Sequence, residues 1–284
     1  MERVILVRYS EIGLKGKNRP LFEKKLVDNI KYCLKKNKIE CRKIENPRGR
    51  ILVYTKKKAD FLENVFGVAS FSYSSVADLD LDKIKEVVIK KLKKIDFKTF
   101  RVSVQRANKN FNLNSVELER EIGGFICEKL DKKVDLKNYD INIGIEINKK
   151  AYLFTKKIKG CGGLPVGCEG KVVAFIEDEN SLVASLLMMK RGCSLIPVSM
   201  KKTDVSVIEK FSCGRNEKLR LIKNIKEIDE IAKENNAKAV VLGQTIENFK
   251  ESDIKTMVLR PLVGFNSGYI DKLKKDYTCL LPLK

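Results

Sequence analysis

From residue 172 onward the chain alternates apolar, strand-like runs with helix-like periods, and few architectures accept that alternation. Residues 172–176 are an apolar run, about 180–191 follow a helical period and 194–198 are apolar again; a helix is expected over about 217–235 and a strand over 237–242. Apolar strands without polar alternation are buried on both faces, and helices between them supply the cover. The rhythm predicts a parallel, doubly wound α/β sheet over the last part of the chain.

The earlier part has a different grammar. Residues 3–8 alternate as a strand, and over 19–37 Phe22, Leu26, Ile30 and Leu34 recur at four-residue spacing, an amphipathic helix with a basic outer face. Between them, Ser10-Glu11-Ile12-Gly13-Leu14-Lys15-Gly16-Lys17-Asn18 is a loop with two Gly and two Lys that opens a helix, where N–H groups and the helix dipole favour a phosphate. A strand at about 50–55, preceded by Pro47-Arg48-Gly49-Arg50, and a short apolar element at 61–69 complete an α+β unit. A second unit follows. Asp80-Leu81-Asp82 caps a helix to about 94, 99–106 alternates as a strand, a helix spans about 116–130, and 141–147 pairs with 151–155 through Asn148-Lys149-Lys150 as a hairpin. The Gly-rich stretch 160–170 reads as a linker and matches neither G-x-G-x-x-G nor a Walker loop. Three domains are therefore expected, at 1–72, 73–165 and 166–284.

The chain contains no histidine and no tryptophan. That excludes a Ser-His-Asp triad, a Cys-His pair, His-ligated zinc and imidazole acid–base chemistry. None of the eight cysteines falls in C-x-x-C spacing, so no metal site is expected. With no export signal and no apolar run long enough to span a membrane, the sequence reads as cytoplasmic with reduced thiols. The formal charge is +21, and residues 1–60 alone hold 18 basic against 7 acidic side chains. That density points to a polyanion, and the few aromatics point to phosphate and shape recognition of a folded nucleic acid.

Three segments resemble the tRNA 4-thiouridine synthetases, also called thiamine-pathway tRNA sulfurtransferases. Residues 8–19, Arg-Tyr-Ser-Glu-Ile-Gly-Leu-Lys-Gly-Lys-Asn-Arg, are similar to the opening of that family's N-terminal ferredoxin-like domain. Gln105-Arg106-Ala107-Asn108-Lys109-Asn110-Phe111, with the helix and hairpin after it, resembles its RNA-binding THUMP domain. Gly162-Gly163-Leu164-Pro165-Val166-Gly167 and Leu187-Met188-Met189-Lys190-Arg191-Gly192 look like the start of its Rossmann-like PP-loop ATPase domain, shortened here, and 242–248 and 259–264 look like late motifs of that domain. The resemblance, to an archaeal-type member, implies tRNA binding by the first two domains. It also implies ATP-dependent adenylation of a uridine at position 8, whose oxygen persulfide sulfur then replaces.

The family's adenylation loop reads Ser-Gly-Gly-x-Asp-Ser, and the matching place here reads Ile176-Glu177-Asp178-Glu179-Asn180-Ser181. A pyrophosphate loop needs Gly for close backbone approach and N–H groups aimed at the anion. One carboxylate about 5 Å from one phosphate charge, at an effective dielectric of about 20, costs roughly 3 kcal/mol. The same carboxylates suit a helix N-cap. The expectation is a tRNA-binding protein tied to position-8 thiolation that takes no cofactor and serves a separate modification enzyme or sulfur donor, its last domain acting as scaffold or homodimer contact. Lys15, Lys17, Asn18, Arg19, Arg48, Arg50, Arg106 and Lys109 are its candidate RNA contacts. The alternative is an active, ATP- and Mg-dependent sulfurtransferase with a divergent loop and a sulfur relay through Cys213 and Cys279, where some relatives carry such a pair.

Overall fold

The computed structural model of the chain describes residues 2–47, 49–213, 215 and 218–278. Strand β1 (Arg3–Arg8) leads through 3-10 turns at Glu11–Leu14 and Gly16–Asn18 into helix α1 (Arg19–Lys36). Strands β2 (Lys43–Glu45), β3 (Ile51–Tyr54) and β4 (Ser70–Ala77) follow, then α2 (Leu81–Leu92), β5 (Thr99–Arg106) and α3 (Ser115–Leu130). Next come β6 (Lys133–Val134), β7 (Ile141–Ile147), β8 (Ala151–Phe154) and β9 (Ile158–Lys159). The last part contains β10 (Lys171–Phe175), α4 (Glu179–Lys190), β11 (Ser194–Ser199), α5 (Ser206–Ser212), β12 (Arg220–Leu221), α6 (Glu227–Glu234), β13 (Val240–Val241), β14 (Val258–Leu259) and α7 (Ser267–Thr278). Among the described residues no helix is long and apolar enough to cross a membrane.

By their contacts, the chain up to Arg8, Ile39–Lys58 and Ser70–Lys159 form one unit, and Tyr9–Lys38, Ala59–Ala69 and the chain from Gly160 onward form another. The first is built on a nine-stranded sheet in the order β2-β3-β1-β4-β8-β7-β5-β6, with β9 pairing β4 off this path. The 72/73 division drawn from the sequence falls inside β4, which pairs with β1 on one side and β8 on the other. Helices α2 and α3 cover one face. Ile143, Ile145 and Ile147, at alternate positions of β7, pack in one core with Ile84, Val88, Leu118, Ile122 and Ile126. Both helices start on a side-chain cap: Asp80 accepts from the Lys83 N–H at 2.9 Å, and Asn114 and Glu117 form a capping box.

The other face of this sheet turns in on itself. Arg50, just before β3, donates to Gln105 on β5 at 3.0 Å, although five strand steps separate β3 from β5. In a flat sheet at about 4.8 Å per step those strands stand roughly 24 Å apart, so the sheet must curl until its inner face closes. Val4, Leu6, Leu52, Tyr54, Val76 and Tyr152 fill the inside of the curl. Gly144 makes room there for the Phe154 ring: a Cβ at that position would sit 2.3 Å from it.

The second unit carries the parallel sheet that the sequence predicts, in the order β12-β11-β10-β13-β14. One face packs Val172, Ala174 and Leu195 against α4, α5 and α7, and the other packs Val173, Ile196 and Val240 against Ile228 and Ala232 of α6. Counted outward from β10 the strand order reverses between β10 and β13, which places the topological switch point at their C-terminal ends.

Three expectations are corrected. The helix expected over 217–235 is replaced by β12 and the shorter α6. Glu227 accepts from the Lys223 and Asn224 N–H groups, at 2.8 and 3.0 Å, and so fixes a helix start there. The stretch 160–170 is docked rather than free: Leu164 N–H donates to Lys190 O, and Gly167 and Glu169 N–H donate to Gly192 O. The eight cysteines are not all thiols, because Cys33 of α1 and Cys213 after α5 form a disulfide across 180 residues of sequence. The fold brings the two residues together with a Cα–Cα separation of 5.5 Å, within disulfide reach.

Candidate functional site

In the second unit, the loop before α1 is built from the two 3-10 turns, and α1 begins with Pro in its first turn and no side-chain cap on Asn18. The Arg19 N–H already donates to Gly16 O and Pro20 has none, but the positive end of an 18-residue helix lies beside Lys15, Lys17 and Arg19. Lys17 and Asn18 are exposed. Lys15 is partly engaged, its Nζ lying 3.4 Å from Glu169 and over the Phe22 ring. Arg19 is oriented by Glu23 at 2.6 Å and by the Tyr9 hydroxyl at 2.6 Å. Burial and the hydrogen bond to Glu23 push the Tyr9 hydroxyl above its ordinary pKa, and the Glu23 bond raises Arg19.

The candidates of the first unit fall into different roles. Arg50 donates to Glu146 at 2.5 Å as well as to Gln105, and its side chain is 19% exposed, so it holds the curled sheet closed. Glu146 takes Arg8 on its other oxygen, also at 2.5 Å. Arg8 further donates to Ser72 and stacks on the Phe154 ring, while its Nη2 has no hydrogen-bond partner; burial lowers its pKa, opposed by Glu146. Arg106 donates to the carbonyls of Leu113 and Lys109 and so pins the loop between β5 and α3, leaving Lys109 exposed on it. Arg50 and Arg106 share the lining of a cavity of about 90 Å³ with Gln105, Glu146 and Asn148. Arg48 lies outside the described residues.

Arg8 and Glu146 did not stand out in the sequence. The available signal was a charge at an alternate position of an otherwise apolar strand: Arg8 closes β1 on the side of Val4 and Leu6, and Glu146 sits between Ile145 and Ile147.

At the C-terminal end of β10, the segment Glu177–Ser181 closes on itself. The Asp178 carboxylate accepts from the Ser181 N–H at 2.9 Å, and Ser181 Oγ accepts from the N–H groups of Glu177 and Asp178 at 2.9 and 3.0 Å. The start of α4 is thus capped by its own carboxylate. Burial and the neighbouring Asp178 raise the Glu177 carboxyl. Gly243, after β13, packs on this turn so closely that a Cβ there would lie 2.3 Å from Ser181 N. Backbone thus meets backbone at the switch point.

Of the candidate thiols, Cys213 is held in the disulfide and Cys279 lies outside the described residues. Burial pushes Cys161 up to about 12 and Cys168 up to about 11, and raises Cys193.

Comparison with known proteins agrees with this architecture. Residues 4–72 match the family model described as the ThiI ferredoxin-like domain, and residues 79–156 match the THUMP domain. A probable tRNA sulfurtransferase of Thermococcus kodakarensis is 34% identical over 335 aligned residues, covering 97% of this chain and 87% of that protein. The alignment exceeds the 284 residues of this chain, so that relative carries segments with no counterpart here. The crystal structure of PH1313 from Pyrococcus horikoshii Ot3 superposes with a TM-score of 0.85 at 34% identity, covering 96% of this chain and 99% of that one. That of a 4-thiouridine synthetase–RNA complex with bound ATP superposes with a TM-score of 0.76 at 28% identity, covering 98% and 85%.

Proposed function

The chain belongs to the tRNA sulfurtransferase family, with a ThiI ferredoxin-like and a THUMP domain, and from that premise we propose that it is a cytoplasmic tRNA-binding protein of uridine-8 thiolation that does not itself adenylate tRNA. The observation that carries the reading is the pairing of an exposed, basic helix start with a closed turn where the relatives' nucleotide loop would lie. At α1, the positive end of the helix carries no side-chain cap and stands beside Lys15, Lys17 and Arg19. At α4, where the relatives' ATP loop would lie, the N–H of Ser181 already holds the carboxylate of Asp178.

Triphosphate does not fit the second place. Its γ- and β-oxygens would replace the Asp178 carboxylate at the Ser181 N–H and lie beside Glu177 and Glu179, with no glycine to let the backbone approach. The division into domains at 1–72, 73–165 and 166–284 is retained as part of the proposal. The tRNA contacts are then Lys15, Lys17, Asn18 and Arg19 before α1, and Lys109 on the loop pinned by Arg106. A separate enzyme or sulfur donor supplies the chemistry, and the last domain serves as scaffold or homodimer contact.

Calorimetry of Mg·ATP and of total tRNA against the protein tests the proposal. The expected outcome is tRNA binding whose log K falls with log salt at a slope of about −4 to −5, for about six phosphates neutralised, and no heat with sub-millimolar ATP. ATP binding, in the presence or absence of tRNA, overturns the non-adenylating half; indifference to tRNA at low salt overturns the rest. The second reading, an active sulfurtransferase with a divergent loop, would relay sulfur through Cys213 and Cys279, and Cys213 is free for that role only once its disulfide with Cys33 is reduced.

A further inference from the structure

The disulfide joins α1, whose first turn carries the tRNA-binding proposal, to the end of α5, which that proposal does not use. Cys33 lies in the last turns of α1 and is 3% exposed; Cys213 caps α5. Cys213 has φ +53°, the left-handed conformation that a helix end usually reserves for Gly or Asn. A Cys held there gains its place from its sulfur rather than from its backbone.

The surroundings of the bond point the same way. Just beyond it, Arg215 stacks on Tyr32 of α1, with its guanidinium 4.9 Å from the ring, and donates to Asn29 Oδ1. Asn29 in turn donates to Val166 O at 3.1 Å. The bridge thus sits inside one set of polar clasps between α1 and the chain after Gly160, all within the second unit. The cavity beside it, lined among others by Tyr32, Cys33, Phe211 and Arg215, is only about 20 Å³, room for about one water. Cys33 is buried whereas Cys213 is partly exposed, so a dithiol meets the bond from the Cys213 side.

We propose that Cys33–Cys213 is a reversible redox lock that fixes helix α1 to the parallel-sheet unit. It closes by thiol–disulfide exchange with a low-molecular-weight disulfide. One protein thiolate attacks that disulfide, forming a mixed disulfide and releasing one thiol; the second protein thiolate displaces the other. Two protons and two electrons leave the protein and are recovered in two small thiols. A dithiol runs the reaction backward. Once open, it leaves α1 held by the Arg215 and Asn29 clasps and by its buried apolar face, Leu26, Ile30 and Leu34.

The experiment uses the full chain equilibrated with oxidised or reduced glutathione. After denaturation without reductant, iodoacetamide should label six of the eight cysteines in the oxidised sample and all eight after dithiol treatment. Amide exchange of 19–36 in the native protein should be at least about tenfold faster in the reduced sample, with the strands β5 and β7 unchanged. Cys33→Ser should show the fast rate in both samples. Cys213→Gly, which suits the left-handed backbone, should do the same and guards against a folding defect in the first variant. Eight labelled cysteines in the oxidised sample overturn the lock, as do equal exchange rates for 19–36 in the two redox states.

Discussion

Arg8 Nε lies 2.5 Å from Glu146 Oε1, although β1 and β7 are separated by β4 and β8 in the sheet. The pair spans the inside of the curl with side chains 7% and 10% exposed, and Arg50 completes it from the other carboxylate oxygen. A buried and a half-buried guanidinium therefore depend on one carboxylate. Glu146→Ala should lower stability by about 3–5 kcal/mol, because it leaves the buried Arg8 without a counter-ion and the half-buried Arg50 without its carboxylate. Arg50→Ala should cost less than Arg8→Ala, since Arg50 is 19% exposed and the solvent can compensate. Urea unfolding of the three variants checks the order; a Glu146→Ala loss below about 1 kcal/mol would show that the curl does not rest on this cluster.

The cap on α4 makes a smaller, local prediction. Asp178→Ala removes the acceptor of the Ser181 N–H, and a lost N-cap is worth about 1 kcal/mol. Ser181→Ala strips the acceptor from two N–H groups, those of Glu177 and Asp178, and should cost at least as much. Neither variant should gain Mg·ATP affinity, because Glu177 and Glu179 remain. Thermal denaturation with and without Mg·ATP reads both outcomes together.

Asp229 gives the pH dependence a sign. Burial alone would raise its carboxyl, but hydrogen bonds from the Lys255 and Thr256 N–H groups and the Thr256 hydroxyl together hold it below the ordinary value. A carboxyl whose folded pKa is depressed stabilises the fold at pH above its unfolded value, about 3.9. That contribution is lost as pH falls from about 4 through the lower folded value. Asp229→Asn should therefore flatten the acid limb of the stability curve below about pH 4 while weakening the protein at neutral pH. An acid limb of unchanged slope in the variant would assign acid sensitivity elsewhere.

What the sequence disclosed and what it hid divide along the range of the interactions. Phe22, Leu26, Ile30 and Leu34 announce α1 because the helical period is local, and Asp80 and Asp178 announce helix starts because a cap bonds within three residues. The parallel sheet was legible for the same reason, strand by strand. The division of 217–235 was not, because Glu227 stops the helix by bonding backward to Lys223 and Asn224, a choice that side-chain period does not encode. The ion cluster and the disulfide were invisible for a stronger reason. Arg8 meets Glu146 across 138 residues and Cys33 meets Cys213 across 180, and only the folded topology puts those pairs side by side. The same long range removed Arg50 from the set of free cations and left Lys17 and Lys109 in it.

That sorting predicts which basic residues contact tRNA. Lys17 and Lys109 are exposed, whereas Arg50 and Arg106 spend their donors on Glu146, Gln105 and the carbonyls of residues 109 and 113. A lysine whose charge is satisfied only by solvent releases a counterion when a phosphate replaces that solvent; an arginine already bonded to a carboxylate releases little. Lys17→Ala and Lys109→Ala should each reduce the slope of log K against log salt by about 1 and leave thermal stability within about 0.5 kcal/mol of the parent. Arg50→Ala should do the reverse, lowering stability with a smaller change in slope. Measuring tRNA affinity at four or five salt concentrations for the three variants separates the cases. A slope that responds to Arg50 and ignores both lysines would move the RNA contact to the inside of the curled sheet.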